Sequence, residues 1–258
     1  MKLIILAAGE GKRLRPYTNN LPKCMVKLKE QSLLSRQLSS ISKCDIPSEN
    51  IALVGGYQAG CLQEFNLKTY QNPNYASTNM VSTLFCANNF MDPNQDLIIS
   101  YGDIVYEENV LRTLIDSSAE VTVVADQKWE RLWSLRMTNP LDDAETFVLK
   151  DNFLIAELGN KAESLSQIQA QYIGLIKVRA DKINQLKSLY NQIDKSLKFN
   201  GQDFENMYMT SFIQILIDSG WEVRAALIKN GWLEVDTVED LESYERISKE
   251  ILDSYCCL

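Results

Sequence analysis

Apolar residues in this chain fall into short runs that alternate with stretches of helical spacing. Leu3 to Leu6 is a compact apolar run, as expected of a strand buried on both faces of a parallel sheet. Leu33, Leu34, Leu38 and Ile41 recur at three- and four-residue intervals, which predicts a helix over 32–42. A second strand is expected over 51–54, ended by Gly55-Gly56-Tyr57, and a helix over 58–67 with Leu62 and Phe65 inward. Residues 70–79 are polar and contain the turn sequence Asn72-Pro73-Asn74. A helix over 80–88, a buried strand over 96–103, a helix over 107–116 and a strand over 121–125 follow. This β-α-β-α-β-α-β alternation predicts an α/β fold, a mostly parallel sheet flanked by helices. The elements do not repeat in sequence, so there is no solenoid.

Beyond residue 126 tryptophans and arginines mix with acidic residues, and short strands are expected over 146–149 and 154–158 around an Asp151-Asn152 turn. A strand over 171–178, helices over 180–193 and 204–219, and strands over 221–227 and 232–235 complete the pattern. Thr237 is placed to cap the last helix, with Asp240 at the capping-box position. Pro and Gly are too sparse to mark a flexible linker, so residues 1–258 are expected to form one domain. The regular alternation over 1–125 and the change of character over 126–258 divide that domain into two halves.

The run Leu3–Leu6 ends in Ala7-Ala8-Gly9-Glu10-Gly11, and Lys12, Arg13, Arg15 and Lys23 come after it. Small residues let a backbone approach a ligand closely, and loop N–H groups can point at an anion. Cations just behind such a loop suit a polyphosphate. Gly-x-Gly by itself describes any strand-to-helix turn with solvated charges. It lacks the third glycine of a dinucleotide fingerprint, and Lys12 is not followed by the Ser or Thr of a phosphate-binding Walker loop.

Composition narrows the chemistry. The net charge of −8 argues against a nucleic-acid partner, so the cations at 12–23 are a local exception. The six cysteines form no C-x-x-C pair and there is no histidine, which excludes the usual zinc sites and makes buried free thiols the expectation. Without histidine, acid–base chemistry near neutrality falls to metal-bound carboxylates, cations or shifted Lys, Glu and Asp groups. Nucleotidyl transfer fits that limit, because it relies on positioning and charge neutralisation. The first apolar run is too short for a secretion signal, and nothing approaches the ~20 apolar residues of a membrane span. A cytoplasmic protein with no membrane partner is expected.

The complete string Leu-Ala-Ala-Gly-x-Gly-x-Arg-Leu-x-Pro-x-Thr-x-x-x-Pro-Lys, over residues 6–23, resembles the signature of the nucleotidyltransferases that make nucleoside-diphosphate sugars and CDP-alcohols. The resemblance implies a Rossmann-like, GT-A-like mixed sheet with a small acceptor-binding β insertion. It makes Leu6, Ala7, Ala8, Gly9, Glu10, Gly11 and Lys12 the triphosphate loop, with Gly56, Tyr101 and Gly102 beside the base. Arg13 and Lys23 become the catalytic cations. Asp103 and Asp236 both follow predicted strands, where open α/β sheets bind ligands. Each alone is as readily a turn residue or a helix cap. Together with the first loop they read as ligands for Mg²⁺, which takes one or two carboxylates plus phosphate oxygens. The resemblance assigns them that role.

Thr78-Asn79-Met-Val-Ser82-Thr-Leu84, Trp129–Arg136 and Asn139–Glu145 resemble the phosphocholine cytidylyltransferase branch. That implies CTP as the nucleotide partner and a small phosphorylated or phosphonylated amine as the acceptor: phosphocholine, 2-aminoethylphosphonate or phosphoglutamine. A sugar-1-phosphate transferase and a non-catalytic nucleotide-binding subunit are the alternatives. An ammonium wants aromatic faces and carboxylates, a phosphate wants cations, and an acceptor carboxylate wants Arg131 or Arg136. The candidate acceptor residues are Asn79, Ser82, Trp129, Arg136, Asp142, Glu145, Tyr172 and Trp232, with Lys161 resembling the lysine that reaches the acceptor phosphate. About half of the tryptophans are expected to serve only in packing. An amphipathic helix looks the same against its own sheet or a second copy, which leaves a homodimer open.

Overall fold

The computed structural model describes all 258 residues. The strands are β1 (Lys2–Ala7), β2 (Lys27–Leu28), β3 (Gln31–Ser32), β4 (Ile51–Gly55), β5 (Lys68–Gln71), β6 (Leu97–Tyr101), β7 (Ile104–Tyr106), β8 (Val121–Asp126), β9 (Glu145–Leu149), β10 (Ile155–Lys161), β11 (Gln171–Val178), β12 (Val223–Ile228) and β13 (Trp232–Glu234). The helices are α1 (Leu33–Ser42), α2 (Met80–Phe85), α3 (Glu108–Ile115), α4 (Trp129–Arg136), α5 (Ile183–Gln192), α6 (Met209–Asp218), α7 (Val238–Arg246) and α8 (Lys249–Asp253).

Seven strands form the main sheet in the order β12-β8-β11-β6-β1-β4-β5. Strands β5, β4, β1 and β6 are parallel, and β12 is parallel to β8. Strand β11 runs antiparallel to both β6 and β8. Strand β11 thus separates β6 from β8. The sheet is mixed and mostly parallel.

Burial explains the near-continuous apolar runs. Every residue from Leu3 to Ala7 is buried, with Leu3 and Ile5 in one core cluster and Ile4 and Leu6 in the other. The alternation of strand side chains divides them between the two faces, each covered by helices. Ser32 caps α1 through Ser35 N–H, and Thr237 caps α7 in a capping box with Asp240, as its sequence predicts.

Several expectations give way to tertiary context. The helix expected over 58–67 is a 3₁₀ turn at Ala59–Phe65. Residues 68–71, taken in part as turn, form the edge strand β5, and 129–136 form α4. The expected strand over 232–235 lies outside the main sheet: β13 pairs antiparallel with β7 in a ribbon of its own. The hairpin β9–β10 likewise stands as a separate two-stranded sheet packed on α6. No helix is long and apolar enough to cross a membrane.

Candidate active site

The first loop leaves β1 at the carboxyl edge of the sheet. Gly9, Glu10 and Gly11 give no backbone N–H to another protein backbone carbonyl, while the Thr18 hydroxyl donates to Gly11 O at 2.7 Å and holds the loop's return. Two glycines let neighbouring strand ends press on it. A Cβ on Gly102 would lie 2.6 Å from Leu6 O, and one on Gly56 would lie 2.8 Å from Ala8 O and 2.5 Å from Tyr75 Cβ. Neither position accommodates a side chain. Tyr57 N–H donates to Ala8 O at 3.0 Å, so the turn after β4 clasps the loop.

The result is a cavity lined by Leu6, Ala7, Ala8, Gly9, Lys23, Asn79, Tyr101, Gly102 and Asp103. Cys24, Tyr75, Thr78, Met80 and Thr83 complete it. Gly56 supports this wall through Tyr75 rather than lining it. Glu10, Gly11 and Lys12 stand at the rim, where Glu10 pairs with Lys12 at 3.2 Å and Arg15 at 3.4 Å. Asn79, expected on the acceptor side, caps α2 on this side instead. Burial pushes the Cys24 thiol up to about 12, so it serves as a neutral wall group.

Asp103 sits in the turn between β6 and β7, and Asp236 just after β13. The two carboxylates converge because β7 pairs with β13 and Val235 N–H donates to Asp103 O at 3.0 Å. Between them lies Lys23, placed by a tight turn after Pro22. Its Nζ donates to Asp103 Oδ2 at 2.6 Å and Asp236 Oδ1 at 2.5 Å, while Arg13 pairs with the other Asp236 oxygen. Burial works to lower the Lys23 pKa, but Asp103 and Asp236 outweigh it and the ammonium is held charged. Burial works to raise the Asp236 carboxyl, and Lys23 and then Arg13 bring it below its usual range.

These carboxylates fit a hard divalent cation. Asp103 Oδ1 is buried and has no hydrogen-bond partner, and the donor set is all oxygen. Two carboxylates fall within the one or two that Mg²⁺ takes from a protein when phosphates supply further ligands.

A second cavity opens from the same point, sharing Met80 and Tyr101 with the first and bounded by Arg13 and Asp236. Trp133, Tyr172 and Trp232 supply its aromatic surface, and Asp143, Glu145 and Glu234 its acidic groups. Gln171, Tyr208 and Thr210 also face it. Among the predicted acceptor residues, the fold brings Glu145, Tyr172 and Trp232 here. Lys161 and Asp142 lie in an adjoining hollow that shares Asp143, Glu145 and Tyr208 with this cavity.

The other expected acceptor residues are elsewhere. Ser82 donates to Glu205 O and lines neither cavity. Trp129 is buried edge-on against Trp133, one turn before it on the same face of α4, and only Trp133 reaches the cavity. Arg136 is only 3% exposed, with its guanidinium held by Glu234 and Asp240. Arg131 donates to Ser254 and stacks on Tyr255. Neither arginine is free for an acceptor carboxylate. Glu234 was legible in principle, since it is two residues before Asp236 and strand alternation puts both on one face. Tyr75, Tyr208 and Thr210 carry no local signal.

Burial, then the neighbouring Asp143, pushes the Glu145 carboxyl up to about 7, with Thr210 opposing and Glu234 adding to the rise. A carboxyl raised in the folded state binds more protons there than when unfolded between about pH 4.5 and 7. Stability therefore falls as pH rises across that window. Glu145→Gln is expected to raise the melting temperature at pH 8 and to have little effect at pH 5, corresponding to about 3 kcal/mol. Thermal unfolding at the two pH values checks this, and equal shifts at both would refute it.

Residues 3–174 match the family of the MobA-like NTP transferase domain. The chain belongs to this family. It is a nucleotidyltransferase. It is 41% identical over 252 residues to the CTP:phosphoglutamine cytidylyltransferase of Campylobacter jejuni, covering 94% of this chain and 98% of that one. A choline-phosphate cytidylyltransferase of Streptococcus pneumoniae is 36% identical over 89 residues, 33% of this chain and 38% of its own. Two solved structures share the fold of this nucleotidyltransferase. The inositol-1-phosphate CTP transferase from T. maritima has a TM-score of 0.73 at 17% identity, covering 98% of this chain and 94% of its own. The CTP:phosphocholine cytidylyltransferase of S. pneumoniae has a TM-score of 0.70 at 20% identity, covering 97% and 98%.

Proposed function

We propose that this protein is a Mg²⁺-dependent cytidylyltransferase that joins CTP to a small phosphorylated amine and releases pyrophosphate. The observation that carries this is the meeting of two cavities at Lys23, Asp103, Asp236 and Arg13. One cavity is bounded by a small-residue loop after β1. The other combines carboxylates with aromatic rings, which suits an ammonium group. The names of the relatives support CTP as the donor and a phosphorylated amine as the acceptor.

An oxygen of the acceptor phosphate attacks the α-phosphorus of CTP. The bond from that phosphorus to the bridging β-phosphate oxygen breaks, and pyrophosphate leaves with its electron pair. No protein base is needed, because the attacking oxygen is already anionic. Asp103 and Asp236 would hold the divalent cation, which when bound would offset negative charge during the displacement. Arg13 and Lys23 stabilise the charge that builds on the phosphates, and the loop amides of residues 9–11 hold the leaving group's end. Glu145 and Asp143 receive the acceptor's ammonium against Trp133 and Trp232. The 1–125 half serves the nucleotide and the 126–258 half the acceptor, within one domain.

Pyrophosphate release is the test, measured with Mg²⁺ over four nucleoside triphosphates crossed with phosphoglutamine, phosphocholine, 2-aminoethylphosphonate and glucose-1-phosphate. Release with CTP and an amine acceptor is expected, with phosphoglutamine the strongest. Release only with glucose-1-phosphate would move the protein to sugar-nucleotide synthesis. Silence throughout, with no nucleotide binding, would refute catalysis.

A further inference from the structure

Arg136 is buried beneath the active site and touches neither cavity, yet it holds the groups that do. Its Nη1 donates to Glu234 Oε2 at 2.5 Å, and Glu234 is part of the acceptor wall. Its Nε and Nη2 donate to the two oxygens of Asp240 at 3.0 and 3.1 Å, a bidentate pair. Asp240 Oδ2 in turn accepts the backbone N–H groups of Asp236 at 2.9 Å and Thr237 at 3.0 Å. The peptide that presents the Asp236 carboxylate is therefore fixed from both sides. Asp103 O binds Val235 N–H on one side, and Asp240, oriented by Arg136, binds Asp236 N–H on the other.

A simple helix cap does not need this arrangement. The capping box of α7 is complete with Thr237 and Asp240 alone. Burying a guanidinium and a carboxylate to the same 3% exposure costs desolvation that their attraction often fails to recover, so such clusters are weak sources of stability. What they do provide is a single geometry, because the planar fork accepts one orientation of its partners. Here that geometry sets the position of Asp236 relative to Asp103 and of Glu234 relative to both.

We propose that Arg136 is a positioning residue. Through Asp240 it locks the backbone of Asp236 in register with Asp103, and through Glu234 it aligns the acceptor wall with the same point. This rests on the reading of the site as a metal-dependent nucleotidyltransferase. Arg136 stands at the end of α4, which also contributes Trp133 to the acceptor cavity, and its guanidinium lies 5.3 Å from the Trp133 ring centroid. One helix thus supports both the acceptor wall and a metal ligand. Lysine keeps the charge at this position but not the fork.

The test uses the intact chain with Arg136→Lys and with the double variant Arg136→Met/Asp240→Asn, which removes both charges of the deeply buried pair and leaves only the partly exposed Glu234 without its cation. Calorimetric binding of CTP is titrated against Mg²⁺ concentration, beside kcat and KM for both substrates and the unfolding midpoint. In both variants the Mg²⁺ concentration for half-maximal CTP binding is expected to rise about tenfold. Turnover should fall about a hundredfold, with KM for CTP at saturating Mg²⁺ changing less than threefold. A lower unfolding midpoint accompanied by wild-type Mg²⁺ dependence and wild-type turnover of the folded fraction would reduce Arg136 to a structural residue and overturn the proposal. If the wild-type protein itself shows no Mg²⁺-dependent CTP binding, the reading of the site falls first and the positioning role with it.

Discussion

Lys23→Ala is expected to lower turnover about a thousandfold while the protein remains folded. The ammonium stands between Asp103 and Asp236, within 2.6 Å of each, at the point where the two cavities meet. A preorganised cation at a site of developing phosphate charge is worth roughly 10²–10³ in rate, and Lys23 is also the group that separates two carboxylates. Its loss leaves those carboxylates facing each other, but their side chains keep about a fifth of their exposure and Arg13 still pairs with Asp236. The folding cost should therefore stay near 1–3 kcal/mol, the scale for removing one partner from a partly buried polar contact. Steady-state pyrophosphate release beside thermal unfolding separates the effects. Wild-type turnover in a folded Lys23→Ala protein would remove Lys23 from the mechanism.

Asp103→Asn is expected to have an effect of similar size through a different route. Asparagine keeps the shape, and its carbonyl can still accept from Lys23, so the unfolding midpoint should move by only a few degrees. What is lost is one negative charge beside an oxygen that has no protein partner. A divalent cation bound by two carboxylates then has one, and turnover should drop roughly a thousandfold at millimolar Mg²⁺, with partial recovery at higher concentrations. Lys23→Ala should show no such recovery, since it leaves both carboxylates in place. Metal titrations of activity in the two variants distinguish the roles. Identical, metal-independent losses would mean that Asp103 serves only to hold Lys23.

The two variants also separate the parts of the site that local sequence reveals from those it does not. Gly9, Gly11, Arg13 and Lys23 lie within one loop and the turn after it. Their order along the chain is nearly their order in space, and small residues followed by cations carry their chemistry locally. Asp103 and Asp236 were legible as residues after strands, but nothing local to either segment shows how they come together. The convergence runs through the β7–β13 ribbon, whose strands are three residues long and too short to leave a periodic signature. Arg136 shows the limit most clearly. As an arginine beside two tryptophans it suits an acceptor anion, yet its partners Glu234 and Asp240 lie 98 and 104 positions away and consume its donors inside the protein.

By itself the sequence determined the strand cores, the cap of α7, the small-residue loop after β1 and the identities of the charged residues that follow it. These depend on interactions within a few residues: periodic burial, capping hydrogen bonds and the backbone freedom of small residues. Only the tertiary structure decided that β11 runs antiparallel between β6 and β8, that Trp133 rather than Trp129 lines the second cavity, and that Arg136 lies beneath it. Each of these follows from which surfaces are buried against which. Pairing between distant segments is set by the total packing and polar satisfaction of the folded chain, and no single segment records it.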